Sequence, residues 1–417
     1  MNFLDIFGKK TEKDQFAALV LREFRRRKWP RALKYDTVNF SLSTGESSTI
    51  FLQNQFQSWK IAKPEAKNLA INDLVVSAFE NLALEKEDKT FEAKRSRIWP
   101  TVRNRTYVEN LWMFDGLNLG PAHYRGTNIS FCEGFSIILT VNDTHNITIC
   151  NHQTFVGWAK TFEEVLPIAR QNLREQKRVW FDRHAEGFYF AETGDYFDSS
   201  LPLMTDAFSQ LDLDGEPIAL IPTRETLLVA GSGDITSLNA MCDIAIKLYE
   251  KDSRQVSLLP IVLKNGEWKP FVDASATYDR LSYLRQQNTI LDYADQKVTL
   301  EEYFQQTGRD VFVAGVGAVS LEESKKTFLR ATLLDGVPSL LPDVDILAVA
   351  NATTEEIIIR YFKDVMSVMG PMPLEPNTYP RRYVFDGQLT DTQWEKLKIE
   401  FSLVEGFQDK LSKASPA

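Results

Sequence analysis

The stretch from Pro222 to Glu250 constrains the fold most, because it contains a compact apolar run, a glycine-rich turn and a helical pattern in succession. Residues 227–230 form a short apolar run, as expected for a buried strand. The residues from Gly231 to Asp234 interrupt that run, and apolar residues then recur at helical spacing from Ile235 to Leu248. This order predicts a strand, a tight turn and an amphipathic helix.

Hairpin signals are frequent around this stretch. Asn265 and Gly266 separate apolar runs at 256–263 and 268–271, and Asn-Gly is a strong short-range hairpin signal. Other runs predict strands at 129–131, 136–141, 146–150, 187–192, 217–221 and 226–230. Because hairpins are mixed with occasional strand–helix units, we expect an α+β protein with mixed, largely antiparallel sheets and packed helices.

The chain of 417 residues is too long for one hydrophobic core, so we expect two or three domains. Its composition suggests a helix-hairpin-helix region at 1–95, a central α+β domain at 96–272 and a C-terminal α/β domain at 273–417. Within the central domain, Thr161 and Glu164 have the spacing of a capping box, which predicts the start of a helix.

The last region has a predominantly helical pattern. Helices are predicted at 273–293, 300–306, 321–333, 355–366 and after Thr390, with strands at 310–315, 346–349 and 383–385. The segment 313–317 resembles 229–233, which raises the hypothesis of a duplicated strand–helix unit. Convergence on a common turn is the simpler interpretation of so few matching positions.

Charge and cysteine content favour a reducing, aqueous compartment. The net charge is -9, and the three cysteines, Cys132, Cys150 and Cys242, are too few for a disulfide framework. No apolar run approaches the ~18 residues needed to cross a bilayer. The first residues also lack the pattern of a secretory signal. We therefore expect a cytoplasmic protein without a membrane span.

A basic cluster lies in the first predicted helix. Residues 1–105 contain 20 Lys and Arg against 13 Asp and Glu, so the remainder of the chain is strongly acidic. The densest basic run contains Arg22, Arg25, Arg26, Arg27 and Lys28. Nucleic acid is one possible partner of this run. A solvated helix face is the simpler interpretation, since no RNA-binding aromatic pattern accompanies it.

The glycine turn does not match a known nucleotide-binding pattern. A dinucleotide fingerprint has a third glycine where this chain has Thr236, and a phosphate loop requires a Gly-Lys pair that is missing here. Asp234 or Thr236 instead provides a helix cap. A helix start can bind an anion, so Asp234 remains a binding candidate, although its own carboxylate would occupy or repel that position.

Metal binding and nucleophilic catalysis lack the necessary residue spacing. Cys132, His145, Cys150 and His152 contain no CxxC or HxxxH pair that would complete a tetrahedral site. The chain also lacks a GxSxG motif. We therefore expect no metal and no cofactor.

An acidic loop is the strongest catalytic candidate. Glu192, Asp195 and Asp198 flank Tyr196, and Arg224 would approach them if the strands around Phe188 and Leu227 are neighbours. Paired carboxylates support acid–base chemistry or Mg²⁺ binding. Loops also use aspartate routinely for turn hydrogen bonds, so a structural role remains open.

A group of aromatic residues provides a further candidate surface. Trp99, Tyr107, Trp112, Phe114 and Tyr124 lie close together in the sequence, in a region that also contains glycine. Such a group can line a ligand groove or a protein interface, while core packing is the default role of aromatic residues.

The order of several segments resembles the bacterial family of domain of unknown function 1444, the YtpQ-like proteins. The resemblance covers roughly residues 15–272 and is carried by residues 40–42, 50–54, 158, 161, 169–173, 194–198 and 221–229. Its most specific parts are the end of the predicted helix at Asn172-Leu173 and the segment Pro222–Leu228. The resemblance implies a cytosolic bacterial protein with no established reaction. It suggests that Asp195, Asp198 and Arg224 belong to a family-level feature.

Three functional hypotheses follow. The first is a non-catalytic binding module, an adaptor or regulator with a protein partner, whose surfaces are the aromatic group and the C-terminal domain. The second is a metal-assisted or acid–base hydrolase that uses the acidic loop. The third is nucleic-acid binding through the basic helix. The sequence leaves the oligomeric state open.

Overall fold

The computed structural model describes residues 11–37, 39–43, 49–64, 66–84, 88–119, 127–143, 147–191, 195, 197–252, 254–273, 275–320, 327–351, 354 and 356–399. For residues 54, 81, 83, 84 and 114–119 it describes the backbone alone. Helices and largely antiparallel sheets are both abundant, which confirms the α+β class. Among the described helices, none is both long and apolar enough to span a bilayer.

The helices of the described chain are α1 Glu12–Arg26, α2 Gln53–Ile61, α3 Lys67–Leu84, α4 Phe91–Lys94, α5 Arg105–Leu119, α6 His152–Trp158, α7 Phe162–Gln176, α8 Ile235–Lys251, α9 Asp279–Thr307, α10 Phe362–Met369 and α11 Asp391–Ile399. The strands are β1 Lys34–Asp36, β2 Ser41–Ser43, β3 Thr49–Phe51, β4 Ile98–Asn104, β5 Asn128–Cys132, β6 Phe135–Asn142, β7 Ile147–Ile149, β8 Asp182–Arg183, β9 Tyr189–Ala191, β10 Pro217–Thr223, β11 Thr226–Gly231, β12 Ile261–Lys264, β13 Glu267–Pro270, β14 Phe312–Val313, β15 Gly317–Ser320, β16 Thr327–Asp335, β17 Ser339–Pro342, β18 Ile346–Asn351, β19 Ile357–Tyr361 and β20 Arg382–Phe385.

Helices α1, α2 and α3 pack with the three-stranded sheet β1-β2-β3 around an aromatic core. Phe16 is central to it, because its ring lies 5.6 Å from that of Phe56 and 5.5 Å from that of Trp59. The hairpin predicted within residues 1–95 is confirmed, since Leu42 and Ile50 are opposite each other in the β2–β3 register.

Two antiparallel sheets pack against each other in the middle of the chain. One has the order β13-β12-β10-β11-β9-β8, and the other has β4-β6-β5 with β7 paired to β6. Alternate residues of β10 and β11 pack into two different hydrophobic cores, because successive side chains of a strand point to opposite faces of the sheet. Ala219 and Val229 face the second sheet, whereas Ile218 and Ala230 face α8.

Local sequence signals in this region are confirmed. Thr161 accepts a hydrogen bond from the Glu164 amide, and the Glu164 side chain accepts one from the Thr161 amide, which completes the capping box of α7. Asn265 and Gly266 both have positive φ, the backbone that a two-residue hairpin turn of this kind requires. They join β12 to β13, as predicted.

The two helices predicted at 273–293 and 300–306 are a single helix, α9, which is 29 residues long. Its buried face begins with Leu281 and Leu284 and ends with Leu300 and Phe304. Between them, four buried positions carry polar residues, so the apolar spacing that identifies a helix in a sequence is interrupted. These residues are Asn288, Asp292, Gln296 and Thr299.

Two further helix predictions in the C-terminal region were wrong. The predicted helix at 321–333 overlaps strand β16, and residues 321–326 lie outside the described part of the chain. The predicted helix at 355–366 begins instead as strand β19 and becomes helical only at Phe362. Both strands contain β-branched residues and join the sheet β15-β16-β18-β19, where cross-strand packing outweighs weak helical periodicity.

The hypothesis of a duplicated strand–helix unit is also wrong. Strand β11 is followed by helix α8, whereas residues 313–317 lead from β14 directly into strand β15. The two similar segments therefore share a turn composition and not a supersecondary unit.

Candidate functional site

The acidic loop converges on a lysine that the sequence analysis did not single out. Lys177, at the end of α7, places Nζ 2.7 Å from each carboxylate oxygen of Asp195 and 3.4 Å from Oδ1 of Asp198. Asp198 is fully buried, and Lys177 is nearly so. The two other predicted members of this loop, Glu192 and Tyr196, lie outside the described residues.

This arrangement ties the loop to α7 through an ion pair. Within the described chain, no group of three or more His, Cys, Asp or Glu residues is placed to hold a metal. Asp195 also accepts a hydrogen bond from the Phe197 amide, a typical turn contact. The described geometry of Asp195 and Asp198 therefore matches a structural role of the loop.

Arg224 does not direct its side chain toward these aspartates. The condition set from the sequence is met, because β9 and β11 are neighbours and Ala191 pairs with Leu227. The Arg224 guanidinium nevertheless lies beside Tyr107, with Nη2 3.5 Å from the phenol oxygen and Cζ 5.7 Å from the ring centre. Among the described residues, Arg224 meets the loop region through its carbonyl, which accepts a hydrogen bond from the Ser199 amide.

A second arginine, Arg103, lies close to Arg224 and was not recognised in the sequence. It is the next-to-last residue of β4 and has only 3% of its surface exposed, and Nη1 donates to the Val102 carbonyl and to Oγ of Ser199. Burial, followed by repulsion from Arg224, lowers the pKa of Arg103 well below its usual value. A guanidinium nevertheless remains protonated in proteins, so this position is a buried positive charge.

The glycine turn is a capped structural turn. Asp234 accepts hydrogen bonds from the Ser237 amide at 3.0 Å and the Ser237 hydroxyl at 2.6 Å, and these bonds lower the pKa of Asp234. The Gly233 amide donates to the Asp214 carbonyl over 2.8 Å. Asp234, and not Thr236, therefore caps α8, and the position where a helix start would hold an anion already contains a carboxylate.

The glycine turn and the acidic loop lie at opposite ends of β11. The loop contacts the backbone at Arg224, just before the strand begins at Thr226, and the glycine turn follows its last residue, Gly231. Six residues of strand span roughly 20 Å. The two features therefore do not share a pocket.

The cysteines are buried hydrophobic residues in this fold. Burial raises the pKa of Cys132, Cys150 and Cys242 to about 12, so their thiols stay protonated at neutral pH. His145, the remaining histidine considered with Cys150 and His152 for metal binding, lies outside the described residues.

The basic cluster of α1 is partly neutralised by its own helix. Arg26 and Arg27 both contact Glu23, at 2.6 Å and 2.8 Å. The remaining three members, Arg22, Arg25 and Lys28, are exposed to solvent. The net positive charge of this surface is therefore smaller than the sequence suggests.

The aromatic group separates in the structure. Trp99 and Trp112 are buried in the core, whereas Tyr107 is exposed beside Arg224. The Phe114 side chain and Tyr124 lie outside the described part of the chain. Core packing therefore accounts for two members of the group.

A cleft of about 810 Å³ lies between α2, the β10–β11 turn and the end of α8. Gln57, Ser58 and Ile61 line it from α2. The opposite wall combines both signs of charge, with an ion pair between Glu225 and Arg254. Its other lining residues are Thr223, Thr226, Leu248, Glu250, Lys251 and Asp252. This volume is within the usual range of ligand-binding clefts.

Comparisons of the chain with protein-family models, curated proteins and solved structures give no match.

Proposed function

We propose that the protein is a non-catalytic binding module, an adaptor or regulator that holds a protein segment in the cleft between α2 and the β10–β11 turn. The cleft itself is the observation that carries this proposal. It joins an exposed apolar residue, Ile61, to a wall of mixed charge, a combination suited to an extended peptide with one apolar anchor. The described aspartates of the acidic loop are already paired with Lys177.

The cytoplasmic location and the YtpQ-like family resemblance belong to the same proposal. Three buried thiols are compatible with a reducing compartment. An adaptor role also agrees with the absence of an established reaction in that family.

A matched pair of variants tests the cleft. Ile61 and Leu69 are similarly exposed, at 71% and 60%, but only Ile61 lines the cleft. A partner should be recovered from native extract with the wild-type protein and with Leu69→Asp, and be lost with Ile61→Asp. Equal recovery by both variants, or no specific partner under several growth conditions, would reject the proposal.

Nucleic-acid binding is a second candidate, favoured by the shared exposure of Arg22, Arg25 and Lys28. Reversing these three charges should abolish salt-sensitive retention on RNA. Reversal of Arg26 should have less effect, because Glu23 already neutralises it. If the wild-type protein is not retained on RNA at low salt, this candidate is wrong.

A further inference from the structure

Arg103 is a buried cation whose contacts in the described structure are neutral. Its Nη1 donates to a carbonyl and a hydroxyl, and no carboxylate lies within ion-pair distance among the described residues. Glu225, which follows Arg224 in the sequence, forms an ion pair with Arg254. Burying a charge without a counterion is costly, and proteins usually compensate it with a paired charge or a bound ion.

Arg224 increases this imbalance. Ser199 connects the two arginines, because its hydroxyl accepts a hydrogen bond from Arg103 Nη1 and its amide donates one to the Arg224 carbonyl. Repulsion from Arg224 also lowers the pKa of Arg103. The Nε of Arg224 is buried without a hydrogen-bond partner in the described chain, and the contact of Arg224 with the Tyr107 hydroxyl is long, at 3.5 Å. Two guanidinium groups and a phenol therefore lie together, with donor capacity that the described protein atoms do not use.

The three groups are supplied by elements that hold them firmly. Arg103 lies in β4, and Tyr107 lies in the first turn of α5, where its amide donates to Asn104 Oδ1 at 3.0 Å. Arg224 lies in the β10–β11 turn, whose Thr223 and Glu225 line the cleft, while its own side chain faces Tyr107. The cluster is therefore distinct from the cleft, and it does not depend on the proposed function.

We propose that Arg103, Arg224 and Tyr107 form a binding site for a phosphate group. Phosphate matches the two positive charges better than a carboxylate does, because it carries between one and two negative charges at neutral pH. Its oxygens accept the parallel hydrogen bonds that a guanidinium donates, and the Tyr107 hydroxyl supplies one more donor. The limited exposure of Arg103 restricts the ligand to a small group at this depth.

Calorimetric titration with inorganic phosphate, against chloride at equal ionic strength, tests the site. We expect saturable binding of one phosphate per chain and no response to chloride. A second titration uses phenyl phosphate. Tighter binding than that of inorganic phosphate identifies a phosphomonoester as the preferred ligand, whereas equal binding identifies free phosphate, and both results support the site.

Variants separate this site from general charge attraction. Arg224→Gln removes one guanidinium and should weaken phosphate binding about ten- to a hundredfold, the usual effect of losing a charge-assisted hydrogen bond. Tyr107→Phe should weaken it by a smaller factor. The control is Arg22→Gln, which removes an exposed arginine on α1 and should leave affinity unchanged.

Arg224→Gln and Tyr107→Phe both leave the buried Arg103 in place, so the test does not depend on a variant that fails to fold. Lack of phosphate binding by the wild-type protein would overturn the proposal. So would equal weakening by Arg224→Gln and Arg22→Gln.

Discussion

The ammonium group of Lys177 lies 3.4 Å from the carboxylate of Asp198, and almost nothing of either side chain reaches solvent, 3% for Lys177 and 0% for Asp198. A buried ion pair is weak evidence of net stabilisation. Removing one partner is nevertheless destabilising, because the other charge then lies in a low-dielectric interior without this counterion. The interaction is therefore best tested by removing one side at a time.

Lys177→Met should lower the free energy of unfolding by about 3–5 kcal/mol, because it leaves Asp198 buried without this counterion. Asp195→Asn should cost less than about 1 kcal/mol, since Asp195 is partly exposed and solvent compensates its loss. Urea denaturation measures both. Lys269→Met, which breaks an exposed ion pair with Glu267, should change the free energy of unfolding by less than about 0.5 kcal/mol. Similar losses for Lys177→Met and Lys269→Met would contradict the prediction.

The cap of α8 gives a second prediction. Asp234→Ala removes the acceptor of the Ser237 amide and should destabilise the protein by about 1 kcal/mol. Thr236→Ala is the matched control and should have an effect within about 0.5 kcal/mol, because Thr236 is exposed and does not provide the cap. Thermal unfolding distinguishes the two. A larger loss for Thr236→Ala would mean that the cap is assigned to the wrong residue.

Gly231 gives a third prediction, based on a close backbone approach. A Cβ atom at this position would collide with the backbone of Asp214, which cannot rotate away. Gly231→Ala should therefore destabilise the fold by about 1–3 kcal/mol. Gly157 in α6 has open space around it, so Gly157→Ala should be neutral or stabilise by up to about 1 kcal/mol. Relative to the wild type, the denaturation midpoint of Gly231→Ala should therefore fall, whereas that of Gly157→Ala should stay the same or rise.

Asp292 gives a prediction about pH. Burial raises its pKa from 3.8 to about 7, although the hydrogen bond that Asn104 donates over 2.8 Å acts to lower the pKa. Asp295 on the same helix, Tyr249 from α8 and Tyr379 also interact with its charge. The folded state therefore retains a proton that the unfolded chain has released. Consequently, the contribution of Asp292 to the free energy of unfolding is fully present below about pH 4 and is lost as the pH rises through about 7.

Asp292→Asn should remove this pH-dependent contribution. Below about pH 4 it should cost roughly 1–3 kcal/mol, because Asn104 and Asn288 both donate to Asp292 and a new amide group would oppose one of them. The difference in unfolding free energy between wild type and variant should therefore shrink between about pH 4 and about pH 8. An exposed control, Asp182→Asn, should follow the wild-type curve. If the Asp292→Asn difference is constant with pH, the assignment is wrong.

Local sequence signals correctly predicted elements whose conformation depends on neighbouring residues in the chain. Thr161 and Glu164 satisfy each other within one turn, and Asn265-Gly266 adopts its turn through backbone preference alone. In contrast, α9 was divided into two helices because the segment between them buries Gln296, whose burial depends on Arg382, a partner far away in the chain. Strand β19 was mistaken for helix because its pairing with β18 is also a tertiary feature.

The candidate sites were less predictable for the same reason. Lys177 resembles an ordinary surface lysine at a helix end, and only folding brings it to Asp195. Tyr107 and Arg224 are 117 positions apart, and their contact depends on how β4, α5 and β11 are arranged. The burial of Arg103 follows from sheet packing, since no sequence rule expects an arginine inside a strand core.

The polar middle of α9 has a consequence for synthesis of the chain. Asn288 Oδ1 accepts hydrogen bonds from the Ser257 hydroxyl at 2.7 Å and the Leu258 amide at 2.9 Å, next to β12. Chains emerge from the ribosome from the amino end, so these donors appear about 30 residues before their acceptor. Their native burial must wait until α9 has been synthesised, and a pause before residue 288 would leave these two donors hydrated.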